Sequence, residues 1–146
     1  VSRIYEAATN KTTGAAAAPI ALISTGTRRA SILEIGVFAT TAVAGEVGIG
    51  RPANTPATPT SVTVQASDPA DEAGTTLLSN AWVTAPTVPG TAMRRIQLPA
   101  TIGAGVIWSW APGELMVPAA SLAAGIVIWQ FTAAAVGYDV YVKVLE

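Results

Sequence analysis

The sequence predicts an all-β protein: an antiparallel β-sandwich or jelly-roll-like barrel with short strands and little or no helix. Three observations predict this. Apolar residues recur with a period of two or in short continuous runs, and turn residues interrupt them roughly every eight to twelve positions. No stretch offers a helical apolar stripe of the roughly 12 to 15 residues that a lone helix needs. The 146 residues include 10 prolines and 13 glycines, mostly between the apolar runs, where turn chemistry belongs.

Strands are expected at residues 3–8, 20–25, 32–39, 46–50, 61–66, 81–85, 93–98, 106–110, 114–117, 125–132 and 138–145. In the third of these, Ile32, Glu34, Gly36 and Phe38 alternate with Leu33, Ile35, Val37 and Ala39, a pattern apolar enough for burial on both faces. The last places Tyr138, Val140, Val142 and Val144 on one face and Asp139, Tyr141, Lys143 and Leu145 on the other, which fits a strand paired inside the sheet. The alanine-rich patch at 15–18 ends at Pro19 and reads as a connector, whereas 118–124 has room for one helical turn. Residues 51–60, with prolines at 52, 56 and 59, read as an extended solvated loop, and the acidic stretch 68–76 as a second loop. No internal repeat stands out. The organisation expected is an N-terminal arm or first strand at 1–19, followed by a single domain at 20–146.

Composition narrows the chemistry. The chain has no histidine and no cysteine, which excludes Ser-His-Asp and Cys-His catalysis, thiolate nucleophiles, disulfides and nitrogen–sulfur zinc sites. A metal would have only oxygen ligands, and no cofactor is expected. A net charge of -1 supplies no basic field for a phosphate backbone, so nucleic acid is not an expected partner. No run reaches the length of a membrane helix, so no membrane is expected either and the chain reads as soluble. The opening Val1-Ser2-Arg3-Ile4-Tyr5-Glu6 carries charges where a signal peptide would be apolar. Hydrophobic residues make up 51% of the chain, but 29 alanines and 18 threonines give a thin core, and only 12% of residues are charged. So little charge leaves apolar surface for contacts, and a homo-oligomer, best a trimer, is expected.

The motifs that invite chemistry are weak. Gly45-Glu46-Val47-Gly48-Ile49-Gly50-Arg51 lacks the lysine, hydroxyl and following helix of a phosphate loop and reads as a glycine-spaced strand. Glu34, Glu46, Glu114 and Asp139 are the only sensible carboxylates for glycoside hydrolysis, and Asp68, Asp71 and Glu72 for a calcium site. The bland readings, solvated faces or arginine partners, are favoured for both sets, and the chain is expected not to be an enzyme. Trp108 and Trp110 share a strand face. A core or subunit-interface cluster with Trp82 and Trp129 is favoured over an exposed sugar-binding row. Arg94 and Arg95 are adjacent on a strand and point to opposite faces, so one guanidinium needs a partner unless the pair, like Arg28 and Arg29, lies at a strand end in solvent.

Across nearly its full length the chain resembles the head decoration, or capsid cement, proteins of tailed bacteriophages. The resemblance is carried by Ser2-Arg3-Ile4-Tyr5-Glu6-Ala7, Ile32-Leu33-Glu34-Ile35-Gly36, Gly50-Arg51-Pro52-Ala53, Trp108-Ser109-Trp110-Ala111-Pro112-Gly113-Glu114 and Tyr138-Asp139-Val140-Tyr141-Val142. It implies a clustered, non-catalytic β-sandwich made in the host cytoplasm, seated on the capsid exterior and bridging major capsid protein subunits. The N-terminal segment becomes a docking arm carrying Arg3 and Tyr5, and the other expected contact residues are Arg28, Arg29, Arg94, Arg95, Trp82, Trp108 and Trp110. A tail-fibre or receptor-binding module and a glycan-binding, lectin-like or hydrolase domain remain as rival readings.

Overall fold

The computed structural model describes residues 2–14, 17–132 and 135–146. Among them it contains twelve strands and no helix: β1 (Ile4–Thr12), β2 (Ala18–Thr25), β3 (Ala30–Ala39), β4 (Gly45–Gly50), β5 (Ala57–Thr63), β6 (Gln65–Ala66), β7 (Thr76–Thr84), β8 (Ala92–Leu98), β9 (Gly105–Ser109), β10 (Met116–Val117), β11 (Ile126–Gln130) and β12 (Gly137–Leu145). The strands make two antiparallel sheets of six. Sheet one runs β6, β1, β12, β3, with β9 and β10 pairing separate stretches of the far side of β3; sheet two runs β5, β7, β2, β11, β4, β8. This is the sandwich expected from the alternation. It is not a closed barrel, because neither β8 and β9 on one side nor β5 and β6 on the other pair across between the sheets. No helix is long and apolar enough to cross a membrane.

The core lies between the sheets. Tyr138, Val140, Val142 and Val144 of β12 all point into it, against Ile35 and Val37 of β3 and, from sheet two, Val47, Ile49, Ile126 and Ile128. Each such side chain stabilises the fold by about 1.5–3 kcal/mol relative to exposure. The run Ile126-Val127-Ile128-Trp129-Gln130 is buried throughout because sheet two has a second apolar cluster, in which Val127 and Trp129 meet Leu22, Trp82, Leu122 and Phe131.

Several elements differ from expectation for local reasons. Leu33 is an extra residue in β3: Glu34 pairs with Lys143, but Ile32 pairs with Val144. The bulge returns Ile32 to the core, away from the face of Glu34, Gly36 and Phe38. Strand β5 begins at Ala57, inside the proline-rich stretch expected to be a loop, and carries Pro59 opposite Trp82. An edge strand tolerates that proline because one side of its ladder is unused. β7 starts five residues earlier than the expected 81, with a register shift opposite Thr60/Ser61 that leaves Asn80 unpaired in the ladder. The Asn80 amide instead donates to Thr9 Oγ1 (2.9 Å) and the Asn10 carbonyl (3.0 Å), and Lys11 Nζ donates to the Asn80 carbonyl (2.8 Å), tying the sheets together. Residues 118–124 form turns, with Ala120 at φ 53° and Ala119 bridging Thr25, so the helical turn does not form. The connector expected at 15–18 falls partly on Ala15 and Ala16, outside the described residues.

Of the two readings of the N-terminal segment, arm or first strand, the structure has the strand. β1 lies between β12 and β6, with a nine-residue register from Ile4↔Leu145 to Thr12↔Gly137. It pairs with β12 along its whole length and with β6 only at Tyr5 and Glu6, so it is the first strand of the domain.

Candidate functional site

Three surface regions collect the side chains singled out in the sequence. The first is the side of the sandwich left open between β8 and β9. Adjacent arginines on β8 do diverge: Arg94 pairs across from Ile49 and Arg95 from Gly48. Arg94 stacks over Trp110 at 4.5 Å, which joins the edge of sheet two to the chain leaving β9. Arg95 lies over Phe131 at 3.9 Å on the other face and pairs with Glu46. Gly48 is required here, since a Cβ would run into the Arg94 carbonyl and the Phe131 ring. Along this stretch Val88, Met93, Ile96, Ile102 and Ile107 are exposed.

The second region is an arginine–carboxylate cluster at one end of sheet one. Arg3 pairs with Asp71 (3.0 Å) and Glu72 (3.6 Å), and Arg28 pairs with Glu72. The hydrogen bond from Arg28 holds the Glu72 carboxyl below its usual range and raises the Arg28 guanidinium in turn. Glu146, whose side chain has no exposed surface, lies 3.9 Å from Arg28 and accepts from the backbone N–H and hydroxyl groups of both Thr75 and Thr76. Asp71 and Glu72 are thus neutralised by guanidinium groups, while Asp68 accepts from the Ala70 N–H. No group of three metal-ligating side chains gathers among the described residues. The cluster's observed role is to clamp the 67–75 loop onto the ends of β1 and β12.

The third region is the outer face of sheet one. Here Glu34 accepts the Tyr141 hydroxyl proton, and Asp139 lies exposed beside it. The carboxylates weighed for hydrolysis are dispersed: Glu34 and Asp139 are on this face, Glu46 is with Arg95 and Glu114 accepts from the Ala111 N–H (2.7 Å).

Of the expected contact residues, Arg29, Arg94 and Arg95 are exposed, while Arg3, Arg28 and Trp82 are half-buried. Tyr5 and Trp108 are corrected: both face the core, and Tyr5 donates its hydroxyl to the Glu72 carbonyl (3.0 Å). Trp110 is half-buried under Arg94. There is no exposed row of indoles. Phe38 and Tyr141 on the outer face were not singled out, although the period-two pattern that buries Val140 and Val142 already turned Tyr141 outward. Arg51 was also missed; it spans the end of sheet two, donating to the Ala124 and Met116 carbonyls, and burial lowers its pKa.

Two phenols carry a pH signature. The hydrogen bond to Glu34 pushes Tyr141 from 10.0 up to about 12, and burial does the same to Tyr138. A raised folded pKa contributes stability that is fully present below the unfolded value near 10 and lost as pH rises through about 12. Unfolding midpoints should therefore fall through that window, and Tyr141→Phe should flatten the fall. Denaturant titrations of both proteins from about pH 9 upward would check this.

Comparison of the chain with protein-family models, with curated proteins and with solved structures finds no match.

Proposed function

We propose that the chain is a non-catalytic structural protein of a phage virion, a decoration or cement protein that binds the capsid exterior and bridges major capsid protein subunits as a homotrimer. The partner and the location come from the sequence resemblance. The observation that best supports adhesion is the open side of the sandwich. There β8 and β9 each present an unpaired strand edge, and among the described residues five of the eight large exposed apolar side chains lie between residues 88 and 107. An unpaired edge accepts a further strand through main-chain hydrogen bonds, and the apolar side chains beside it supply burial. Each chain bound only to the expanded shell stabilises that state by mass action.

The test is binding to expanded capsids that lack the protein. The native chain should co-sediment with shells at saturating occupancy. The exposed pair Met93→Glu and Ile96→Lys should lower occupancy about tenfold, the effect of losing one well-buried anchor. Undiminished occupancy in a folded double variant would remove the docking surface. Sedimentation equilibrium at micromolar concentration should give three times the 14.8 kDa chain mass, and a monomer would remove the trimer.

A further inference from the structure

The outer face of sheet one is laid out in three transverse rows by the strand registers. Asn10, Asp139, Phe38 and Gly105 form one row; Ala8, Tyr141, Gly36 and Ile107 the next; Glu6, Lys143, Glu34 and Ser109 the third. Within these rows each aromatic ring lies over a glycine of the neighbouring strand. A Cβ on Gly36 would collide with the Tyr141 ring, and one on Gly105 with the Phe38 ring. Both rings are thereby laid down on the sheet, 6.4 Å between centroids and only 13° apart in plane. Ala8 leaves the surface low beside them. Two depressions of about 560 and 380 Å³ meet at Ala8 and Tyr141, one reaching Asn10 and Asp139 and the other Glu6 and Gln65.

We infer that this face is a binding site for a neutral oligosaccharide. The chemistry is that of a pyranose: an apolar C–H face that packs on an aromatic ring, and a rim of hydroxyls that donate to planar acceptors. Tyr141 and Phe38 provide the ring surfaces. Asp139 and the Asn10 amide provide polar partners on one flank, and Glu34, held by the Tyr141 hydroxyl, on the other. Charge selects the class of ligand. Glu6, Glu34 and Asp139 outnumber Lys143 on the face, so phosphates and acidic sugars are repelled. The same carboxylate rim disfavours an apolar peptide or a second copy of the face, either of which would bury it unpaired. The site adjoins the docking edge at Ile107, but the side chains argued to hold the sugar lie on β1, β3 and β12, so its test is separate from that of the edge.

The probes are cellotetraose, chitotetraose and maltotetraose, titrated into the full chain with binding followed by calorimetry and by amide chemical shifts. At least one should bind, with shifts centred on β1, β3 and β12. Tyr141→Ala and, independently, the exposed Asp139→Ala should each weaken binding about tenfold, the scale of one stacked ring or one charged hydrogen bond. Met93→Glu, on the distant β8 edge, should leave it unchanged. Asp139→Ala touches no core residue, so it keeps the test open if Tyr141→Ala fails to fold. Absence of shifts with all three sugars at about 5 mM, a range in which even weak binding registers, would overturn the inference. So would equal affinity in Asp139→Ala, or preferential binding of heparin or of an apolar peptide.

Discussion

Replacing Glu146 with alanine should destabilise the protein by about 3–5 kcal/mol, the range for removing one partner from a buried charged network. Four donors converge on this carboxylate, from the backbone and hydroxyl of Thr75 and of Thr76 at 2.6 to 3.3 Å. Alanine leaves all four without their carboxylate acceptor at a partly buried site, and leaves Arg28 with Glu72 alone. Glutamine should cost about half as much, because it keeps one oxygen but turns an NH₂ group toward N–H and hydroxyl donors. At roughly 2–4 °C per kcal/mol for a chain of this size, the alanine variant should melt about 8–15 °C below the parent. Differential scanning calorimetry at neutral pH checks both values. A shift under about 2 °C for alanine would mean that the clamp contributes little to stability.

Trp108→Ala should have a comparable effect, about 3–5 kcal/mol, because it empties the space of an indole in the core. Trp108 is 7% exposed and pairs across from Ile35, on the strand that centres the packing of sheet one against sheet two. Its loss should be read out as an early urea midpoint with an unchanged slope, the mark of a cavity in an otherwise intact fold. If Trp108 instead served an interface, the isolated chain would be barely affected and only assembly would suffer. An isolated-chain loss below about 1 kcal/mol would thus return Trp108 to the contact surface.

What was legible in the sequence was whatever depends on period. Val140, Val142 and Val144 announced the inner face of β12, whereas burial on both faces was expected of residues 32–39 and is only partial at Leu33, Glu34 and Phe38. Adjacent Arg94 and Arg95 announced that the two guanidiniums would part, and they do. What was not legible depends on distant partners. Glu146 has no local signal of burial, since its donors lie 70 and 71 residues away. Bulges at Leu33 and Asn80 shift the face of every residue beyond them, and nothing in a short window marks which residue will be the extra one. Trp108 and Trp110 were correctly placed on one side, but whether that side met core or solvent was set by how β9 seats against β3. The outer-face aromatics follow the same rule: Tyr141 is turned outward by alternation, yet its ring lies half-buried on the sheet because a glycine sits one strand away.

The strand order also fixes what the ribosome can and cannot leave half made. β12 is the partner of both β1 and β3, and β11 of both β2 and β4, and these two strands follow the other ten in chain order. Until Ile126 and the residues after it emerge, a nascent chain holding ten of the twelve strands has four pairing edges with nothing to close them. Neither sheet can be completed before they emerge, so folding depends on contacts of long sequence separation, the slow class. A product truncated before residue 126 has most of the sequence but lacks an interior strand of each sheet, which makes it a substrate for chaperones and proteases.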